Sequence, residues 1–371
     1  MKKLGFGLMR LPRNNPTDYK DIDLGEMQRM VDRFMEKGFT YYDTAYVYHG
    51  GESETAFRET VVKKYPRDSF TITDKLPMFI IQSEEQLEPI FAETLERLGV
   101  DYLDYYWLHS LNKSNYELAE KVHAFEFIQQ KQAEGKIKNI GFSFHDKADV
   151  LEAILKNHPE MDFVQLQLNY LDWEDESIQS RKCYELCEKY NKQVIVMEPL
   201  KGGSLVNIPA EVEKMFKAYA PDASIPSWGI RFAASHKNVM VVLSGMGTEA
   251  QMIDNLSYMD HFEPLNQEEM ELVKKAAEII RSSIAIPCTS CHYCDGCPKD
   301  IAIPEYFSAY NNLKRFGREQ LMVSRTYYNG LAEYRGKASE CVACGRCEEH
   351  CPQHIEIING LKLVVEEIEN T

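Results

Sequence analysis

The chain has 371 residues, of which 44% are hydrophobic and 27% charged, and its formal net charge is -16 at pH 7. This composition is typical of a globular protein with one large and one small domain. A surface this acidic repels phosphate backbones and argues against nucleic-acid binding. The sequence has no run of roughly 18 apolar residues, and its first residues, "MKKLGFGLMR", lack the apolar core of a signal peptide. We therefore expect a cytoplasmic protein without a membrane span.

From the N-terminus, short β-rich segments alternate with amphipathic helical segments such as "LGEMQRMVDRFMEKG" and "EEQLEPIFAETLERLG". The predicted strands are, in chain order, "LGFGLM", "FTYYDTA", "FTITDKL", "DYYWLHS", "IKNIGFS", "FVQLQLN", "QVIVMEP" and "VMVVLSG". Eight such segments, each followed by a helix, predict a closed (β/α)8 TIM barrel, an α/β fold, rather than an open sheet. No GxGxxG segment follows a strand, which argues against a Rossmann fold.

In such a barrel, catalytic side chains lie at the C-terminal ends of the strands. Asp43, Lys75 and His109 end the second, third and fourth predicted strands, and Tyr48 follows Asp43 in the next loop. Each residue alone has a structural explanation, such as a capping aspartate, a packed tyrosine or a buried histidine. Their positions at successive strand ends instead predict one shared site at the mouth of the barrel.

The last part of the sequence is rich in cysteine, and eight of the ten cysteines lie between Cys288 and Cys351. They form the runs C-x2-C-x2-C-x2-C-P and C-x2-C-x2-C-x3-C-P. A reducing cytosol argues against disulfides. Zinc sites usually use two C-x2-C pairs, not triplets that end in Cys-Pro. The two runs therefore predict two [4Fe-4S] clusters.

The ligand sets follow the pattern of two-cluster ferredoxins, in which the cysteine before proline binds the other cluster. The predicted first set is Cys288, Cys291, Cys294 and Cys351. The predicted second set is Cys341, Cys344, Cys347 and Cys297. Apolar residues recur at helical spacing between the two runs. We therefore expect a barrel over residues 1–280 and a small, mostly α-helical ferredoxin-like domain over residues 281–371.

The segments "YYDTAYVYHGGESE", "TDKLP", "YYWLHS", "GFS", "VQLQLN" and "VVLSGMGTEAQMIDN" resemble the aldo-keto reductase family over about residues 1–280. With its cysteine-rich tail, the chain looks like an iron-sulfur extended member. The resemblance implies that a nicotinamide cofactor reduces a small-molecule aldehyde or ketone. It implies that Tyr48 is the general acid, that Lys75 favours its phenolate, that Asp43 pairs with Lys75, and that His109 polarises the carbonyl. We expect Asp74 to face outward.

The resemblance also implies the cofactor contacts. They fall at Ser143, Gln165, Met197, Ser244, Gly245, Met246, Gln251 and Asn255. Ser143 and Gln165 match residues that hold the nicotinamide amide, although the family's asparagine after that serine is Phe144 here. Met197 stands where the family has an aromatic residue on the nicotinamide. The family's basic residue for the 2'-phosphate falls at Gln251, and glutamine cannot make the charged bidentate contact of arginine. NADP, NAD and a flavin in the same pocket therefore all stay open.

The clusters add a second question, because a nicotinamide moves two electrons as hydride whereas a cluster moves one at a time. Three hypotheses follow. The chain is a carbonyl reductase whose clusters exchange electrons through a flavin or a redox partner protein. Alternatively, it is a carbonyl reductase whose clusters are structural or sense oxygen. In the third hypothesis it is a non-catalytic electron-transfer module that uses the barrel as a binding platform.

Overall fold

A computed structural model describes residues 2–15, 17–176, 178–316, 318 and 321–370. Eight parallel strands pair in chain order, and the last strand closes the barrel against the first. The strands are β1 (Leu4–Gly7), β2 (Tyr41–Asp43), β3 (Thr71–Leu76), β4 (Leu103–Leu111), β5 (Ile137–Phe144), β6 (Phe163–Gln167), β7 (Gln193–Met197) and β8 (Val239–Ser244). The predicted (β/α)8 barrel is confirmed.

The helices between and after the strands have the amphipathic pattern of surface helices. They are α1 (Leu24–Glu36), α2 (Glu52–Phe57), α3 (Leu87–Leu98), α4 (Lys113–Lys121), α5 (Ala124–Ala133), α6 (Ala148–Asn157), α7 (Ser180–Lys189), α8 (Ala210–Tyr219), α9 (Ile225–Ser235) and α10 (Glu249–Met259). In α1 the side chain of Asp23 caps the first turn, and Met27, Met30, Val31 and Phe34 form the buried face. In α7, Cys183 and Cys187 are buried.

The inside of the barrel is filled by side chains, so it is a packed core and not a pore. One buried cluster draws on β2, β4, β6, β7 and β8, and its members are Tyr41, Trp107, Phe163, Ile195, Val241 and Leu243. Apolar packing of this kind leaves the ends of the strands as the places where polar side chains can gather.

The chain divides into two compact units. Unit 1 comprises Met1–Glu174, Gln179–Pro199 and Pro226–Gln267. Unit 2 comprises Asp175–Ile178, Leu200–Ile225 and Glu268–Thr371. Unit 2 thus includes a long segment that follows β7 in the sequence, as well as the C-terminal part of the chain. The division at residue 280 stays a prediction.

Unit 2 is mostly helical in its C-terminal part, as predicted. Its helices there are α11 (Gln267–Ser283), α12 (Ile303–Phe316), α13 (Leu321–Ala332), α14 (Arg346–Glu349) and α15 (Ile357–Val364). Tyr306 and Phe307 of α12, Tyr328 of α13, and Leu361 and Val364 of α15 form the centre of its hydrophobic core. In the described part of the chain, every helix is too short or too polar to cross a bilayer.

Candidate active site

Asp43, Tyr48 and Lys75 are in direct contact at the C-terminal ends of β2 and β3. The Lys75 ammonium donates to Asp43 Oδ2 at 3.0 Å, to the carbonyl oxygen of Thr44 at 2.5 Å, and to the Tyr48 hydroxyl at 3.3 Å. These three acceptors match the three protons of an ammonium group. Thr73 donates to the other oxygen of Asp43 at 3.0 Å. The carboxylate and the ammonium are therefore both held in one orientation.

The Asp43–Lys75 pair lies wholly inside the protein, with Lys75 0% exposed. Burial lowers the pKa of Lys75, and the neighbouring Asp43 carboxylate partly offsets this effect. Burial likewise raises the pKa of Asp43, and Lys75 opposes the shift. Each charge is stable in this site because the other is present, so removing either one would leave a buried, unpaired charge. The ammonium also lies 4.6 Å from the centre of the Tyr48 ring.

His109 completes this group, and an irregularity in β4 positions it. The pairing of β4 with β5 shifts register between Leu108 and Leu111, and Ser110 has a φ of 62°. Bulges of this kind change the direction of a side chain. The His109 ring lies 6.1 Å from the Tyr48 ring, edge to face. Burial and the nearby Lys75 ammonium hold the pKa of His109 well below its ordinary value, so the imidazole is neutral at pH 7.

Phe79 forms an aromatic wall on this side of the group. Its ring lies 5.3 Å from that of His109, and 38% of the residue is exposed. An exposed aromatic side chain beside a neutral imidazole gives the mouth of the barrel an apolar surface.

The side chains of Ser143 and Gln165 suit the amide group of a nicotinamide. Ser143 and Gln165 are register partners across β5 and β6, and both side chains are buried. The Ser143 hydroxyl accepts from the backbone N–H of Ser110 at 2.6 Å, so its own proton is directed elsewhere. A hydroxyl donor beside a side-chain amide offers both a donor and an acceptor to a carboxamide. Met197, at the end of β7, is half-buried.

The loop between β8 and α10 contains the residues expected at the cofactor phosphates. Asn255 of α10 donates to the Ser244 hydroxyl at 2.7 Å, which ties the helix to the start of the loop. Gly245 and Met246 follow, and Met246 is buried. A Cβ atom on Gly247 would lie 2.9 Å from the carbonyl oxygen of Arg10. The loop after β8 and the segment after β1 that contains Arg10 are therefore in close backbone contact. Such an arrangement can bring backbone N–H groups near a phosphate.

Gln251 turns back toward its own loop. Its Oε1 atom accepts from the backbone N–H of Gly247 at 2.7 Å. The glutamine thus stabilises the loop through a neutral hydrogen bond, and it adds no positive charge where the family's basic residue would stand.

Glu54 and Asp74 are two buried carboxyl groups near Lys75, and we call them the acid pair. Asp74 faces the helix layer, as expected of an outward-facing neighbour of Lys75, but it is fully buried there. Its Oδ1 accepts from the Lys75 backbone N–H at 2.6 Å, and Glu54 Oε2 accepts from Arg97 at 2.9 Å. Their other oxygens, Glu54 Oε1 and Asp74 Oδ2, have no hydrogen-bond donor in the described part of the chain.

A single shared proton would satisfy both of these oxygens, because the two carboxyl groups are within hydrogen-bonding reach of each other. Burial raises the pKa of Glu54 to about 7, with Arg97 opposing the shift. Burial, and then the nearby Glu54, raise the pKa of Asp74 well above its usual value. The pair therefore retains a proton at pH values where exposed carboxyl groups have lost theirs.

This acid pair predicts a pH dependence of stability. The unfolded chain releases the Glu54 proton near pH 4.5, whereas the folded protein releases it near pH 7. Stability should therefore fall as the pH rises from about 4.5 to about 7, by at most about 3 kcal/mol from this group. Glu54→Gln, whose amide keeps a donor and an acceptor, should flatten this decline when urea unfolding is compared between pH 5 and pH 8.

Glu93→Gln is the matched control, because Glu93 also binds Arg97 but has a lowered pKa and an exposed side chain. It should keep the decline of the natural protein. An equal flattening in both variants would show that the acid pair does not hold the proton.

Several contacts in the barrel were not predicted from the sequence. The carbonyl group of Thr44 is a backbone acceptor for Lys75, and no side-chain pattern reveals such a group. Gln167 and Asn169 both donate to Asp172 Oδ2, at 2.8 and 2.7 Å, and all three are buried. They fix the loop after β6. The segment "LNYLDW" contains the Asn and Asp of this cluster three residues apart, which is a spacing typical of a side-chain-stabilised turn.

The cysteines of the first predicted set line one cavity in unit 2. Cys288, Cys291, Cys294 and Cys351 share its wall with Ile303, Phe307, Ile355 and Ile357. Burial and the neighbouring cysteines raise the pKa of the Cys294 thiol, since thiolates brought together without iron repel one another. A cavity with four sulfur ligands and apolar walls fits an iron-sulfur cluster.

The second set is more open. Cys341, Cys347 and Cys297 are partly buried against the core of unit 2, and Cys344 is exposed. Within the described residues, no three His, Cys, Asp or Glu side chains converge as the ligands of a single metal ion would.

Comparison with known proteins identifies relatives of this chain. An NADH-specific methylglyoxal reductase of Escherichia coli (strain K12) is 23% identical over 76% of this chain and 96% of its own length. The aldo-keto reductase str7 of Strobilurus tenacellus is 26% identical to this chain. The match covers 55% of this chain and 60% of that relative. A solved aldo-keto reductase of Klebsiella pneumoniae, in complex with NADPH, has a TM-score of 0.57 at 18% identity, covering 74% of this chain and 90% of its own.

Two family models match the chain in succession. The model of the Aldo/keto reductase family matches residues 3–278, and that of the 4Fe-4S dicluster domain matches residues 287–356. The chain is therefore a member of the aldo/keto reductase family that carries a C-terminal 4Fe-4S dicluster domain.

Proposed function

We propose that the chain reduces a small aldehyde or ketone to the alcohol with a nicotinamide nucleotide. The observation that carries this proposal is the contact of the Lys75 ammonium with both the Asp43 carboxylate and the Tyr48 hydroxyl, beside a neutral His109. When bound, the reduced nicotinamide supplies the hydride. The remaining chemistry is proton transfer and charge stabilisation at the carbonyl oxygen.

In this mechanism Tyr48 donates its hydroxyl proton to the carbonyl oxygen of the substrate. Lys75 stabilises the phenolate that remains, and Asp43 keeps Lys75 charged and in position. The neutral ring of His109 donates an N–H hydrogen bond to the same carbonyl oxygen and polarises it. Ser143 and Gln165 would hold the nicotinamide amide, Met197 would contact its ring, and Ser244, Gly245, Met246 and Asn255 would hold the phosphates.

The direct test is to measure carbonyl-dependent oxidation of NADH and NADPH by the full chain, purified without oxygen. Methylglyoxal is a suitable first substrate, because the E. coli relative is named for its reduction. Turnover with any small aldehyde supports the proposal. Binding of either nucleotide without turnover of a broad aldehyde panel would favour the barrel as a binding platform.

We further propose that NADH is the preferred cofactor, because the neutral Gln251 stands where the family has a basic residue for the 2'-phosphate. Gln251→Arg should tighten NADPH binding about 10- to 100-fold, as expected for one added charge-assisted hydrogen bond of roughly 1.5–3 kcal/mol. Its affinity for NADH should not rise, because NADH has no 2'-phosphate for the arginine to bind. Fluorescence titration with both nucleotides measures the ratio.

Gln130→Arg places the same charge on the exposed face of α5 and is the control. It should leave both affinities as they are. A natural protein that already binds NADPH more tightly than NADH would contradict the proposed preference.

In the C-terminal part we propose two [4Fe-4S] clusters. The first cluster is bound by Cys288, Cys291, Cys294 and Cys351, and the second by Cys341, Cys344, Cys347 and Cys297. In this proposal residues 1–280 form the reductase domain and residues 281–371 the cluster domain. The relatives give no support to a flavin, so the proposal contains none.

We propose that the clusters exchange single electrons with a redox partner protein. Support comes from the second set, where Cys344 is exposed and the neighbouring Val342 is 56% exposed. The test is whether the visible absorption of the clusters changes when NADH or the carbonyl substrate is added. Clusters that respond to neither compound, in a protein that turns over normally, would favour the structural or oxygen-sensing role.

A further inference from the structure

A turn after β7 brings a buried lysine into unit 2. Lys201 is 3% exposed and has a φ of 46°, a left-handed conformation that non-glycine residues rarely adopt. Gly202 and Gly203 continue the turn with φ values of 64° and 99°. A Cβ atom at Gly202 would lie 2.1 Å from the carbonyl oxygen of Thr289, so only glycine permits this approach. The turn is thus closely packed at a defined place.

That place is the wall of the cavity that contains the first cysteine set. Thr289, against which Gly202 packs, lines the cavity and directly follows Cys288. The Lys201 ammonium donates to Gln353 Oε1 at 2.9 Å, and Gln353 is another residue of the wall, close to Cys351 in sequence. The turn therefore contacts the wall beside the first and the last cysteine of the set.

The hydrogen bond to Gln353 fixes the Lys201 ammonium near Cys351. Gln353 is two residues after Cys351, and both residues line the cavity of the first cysteine set. A positive charge held beside this wall would act on the anionic cluster that the four cysteines would bind.

A cluster bound by four thiolates is anionic, and reduction adds one more negative charge. A cation held in a buried, low-dielectric site stabilises the reduced form more than the oxidised form, and this raises the reduction potential. We propose that Lys201 sets the reduction potential of the first cluster and holds it above the value that the cysteines alone would give. This inference rests on the proposed assignment of two [4Fe-4S] clusters.

The experiment is a redox titration of the full chain without oxygen, followed by electron paramagnetic resonance of the reduced clusters. A Cys344→Ser variant, which lacks a ligand of the second cluster, identifies the signal of the first. In Lys201→Met, which keeps the length of the side chain but removes its charge, the midpoint potential of the first cluster should move to a more negative value. That of the second cluster should change less, so it is an internal reference.

Two further variants keep the inference testable if Lys201→Met fails to bind its first cluster. Lys201→Arg retains the charge and should leave both potentials close to those of the natural protein. Gln353→Glu places an anion beside the ammonium and should shift the first cluster in the negative direction. Lys362→Met, on the exposed side of α15, is the control and should shift neither.

The outcomes separate the inference from the assignment on which it rests. A natural protein that lacks iron and sulfide would overturn the cluster assignment itself. Two clusters with potentials that ignore Lys201→Met and Gln353→Glu would overturn only the role of Lys201. An equal shift of both clusters would also overturn it, because a general change in the protein would then be the cause.

Discussion

Replacing Tyr48 by phenylalanine should lower kcat/KM for aldehyde reduction by about 10²- to 10⁴-fold, the usual contribution of a general acid. The change removes one oxygen atom, the one that accepts from Lys75 at 3.3 Å. The ring, its edge-to-face contact with His109 and the Asp43–Lys75 pair can all remain. The loss should therefore appear in the chemical step, whereas the Kd for the nicotinamide nucleotide should stay within a few-fold of the natural value. Steady-state kinetics and fluorescence titration together check both expectations.

Tyr46→Phe is the matched control for this experiment. Tyr46 lies in the same loop, but its hydroxyl donates to Glu93 at 2.7 Å and its ring packs under Arg97. Its removal should cost little activity. If Tyr48→Phe retained the rate of Tyr46→Phe, the phenol would have no part in proton transfer, and the barrel would be better explained as a binding platform.

Replacing Cys294 by alanine should remove one cluster from each chain. Cys294 is partly buried, and it shares the cavity with Cys288, Cys291 and Cys351. Without its sulfur the first cluster lacks a ligand. Iron and sulfide should fall from about eight atoms of each per chain to about four, because each cluster contains four of each. The unfolding temperature should fall too, since metal binding and folding are coupled in small metal domains.

Cys187→Ala tests whether the loss is specific to the cluster ligands. Cys187 is fully buried in α7 and belongs to neither predicted set, so this variant should keep all its iron. A full iron content in Cys294→Ala would show that the first set is assigned wrongly. A complete loss in that variant would mean that the two clusters assemble only together.

The barrel and its polar end were predictable because their signals are local. Parallel strands buried on both sides appear as short apolar runs. Because all eight strands end on the same face of the barrel, the residue that ends each run lies at its mouth. Asp43, Lys75 and His109 were predicted in this way, and they lie at the ends of adjacent strands. The cysteine runs were equally local, since their spacing alone indicates clusters.

Features that depend on distant contacts were not predictable. The bulge that directs His109 has no marker in "YYWLHS", because it arises from the pairing of β4 with β5. Asp74 was recognised as facing outward, but its partner Glu54 is twenty residues earlier and only packing brings the two carboxyl groups together. Lys201 lies outside the segments that carry the family resemblance, and nothing in "EPLKGG" indicates that its ammonium group contacts Gln353.

Unit 2 consists of segments that are far apart in the sequence, and this limits where the chain can be cut into separate domains. Its segment Leu200–Ile225 is encoded between β7 and β8, far from the cysteine runs. Truncation near residue 280 would remove Gln353 and Thr289, the neighbours against which the Lys201 turn packs. If the C-terminal part alone were fused to another barrel, it would lack the segment Leu200–Ile225. That barrel would then need an equivalent insertion.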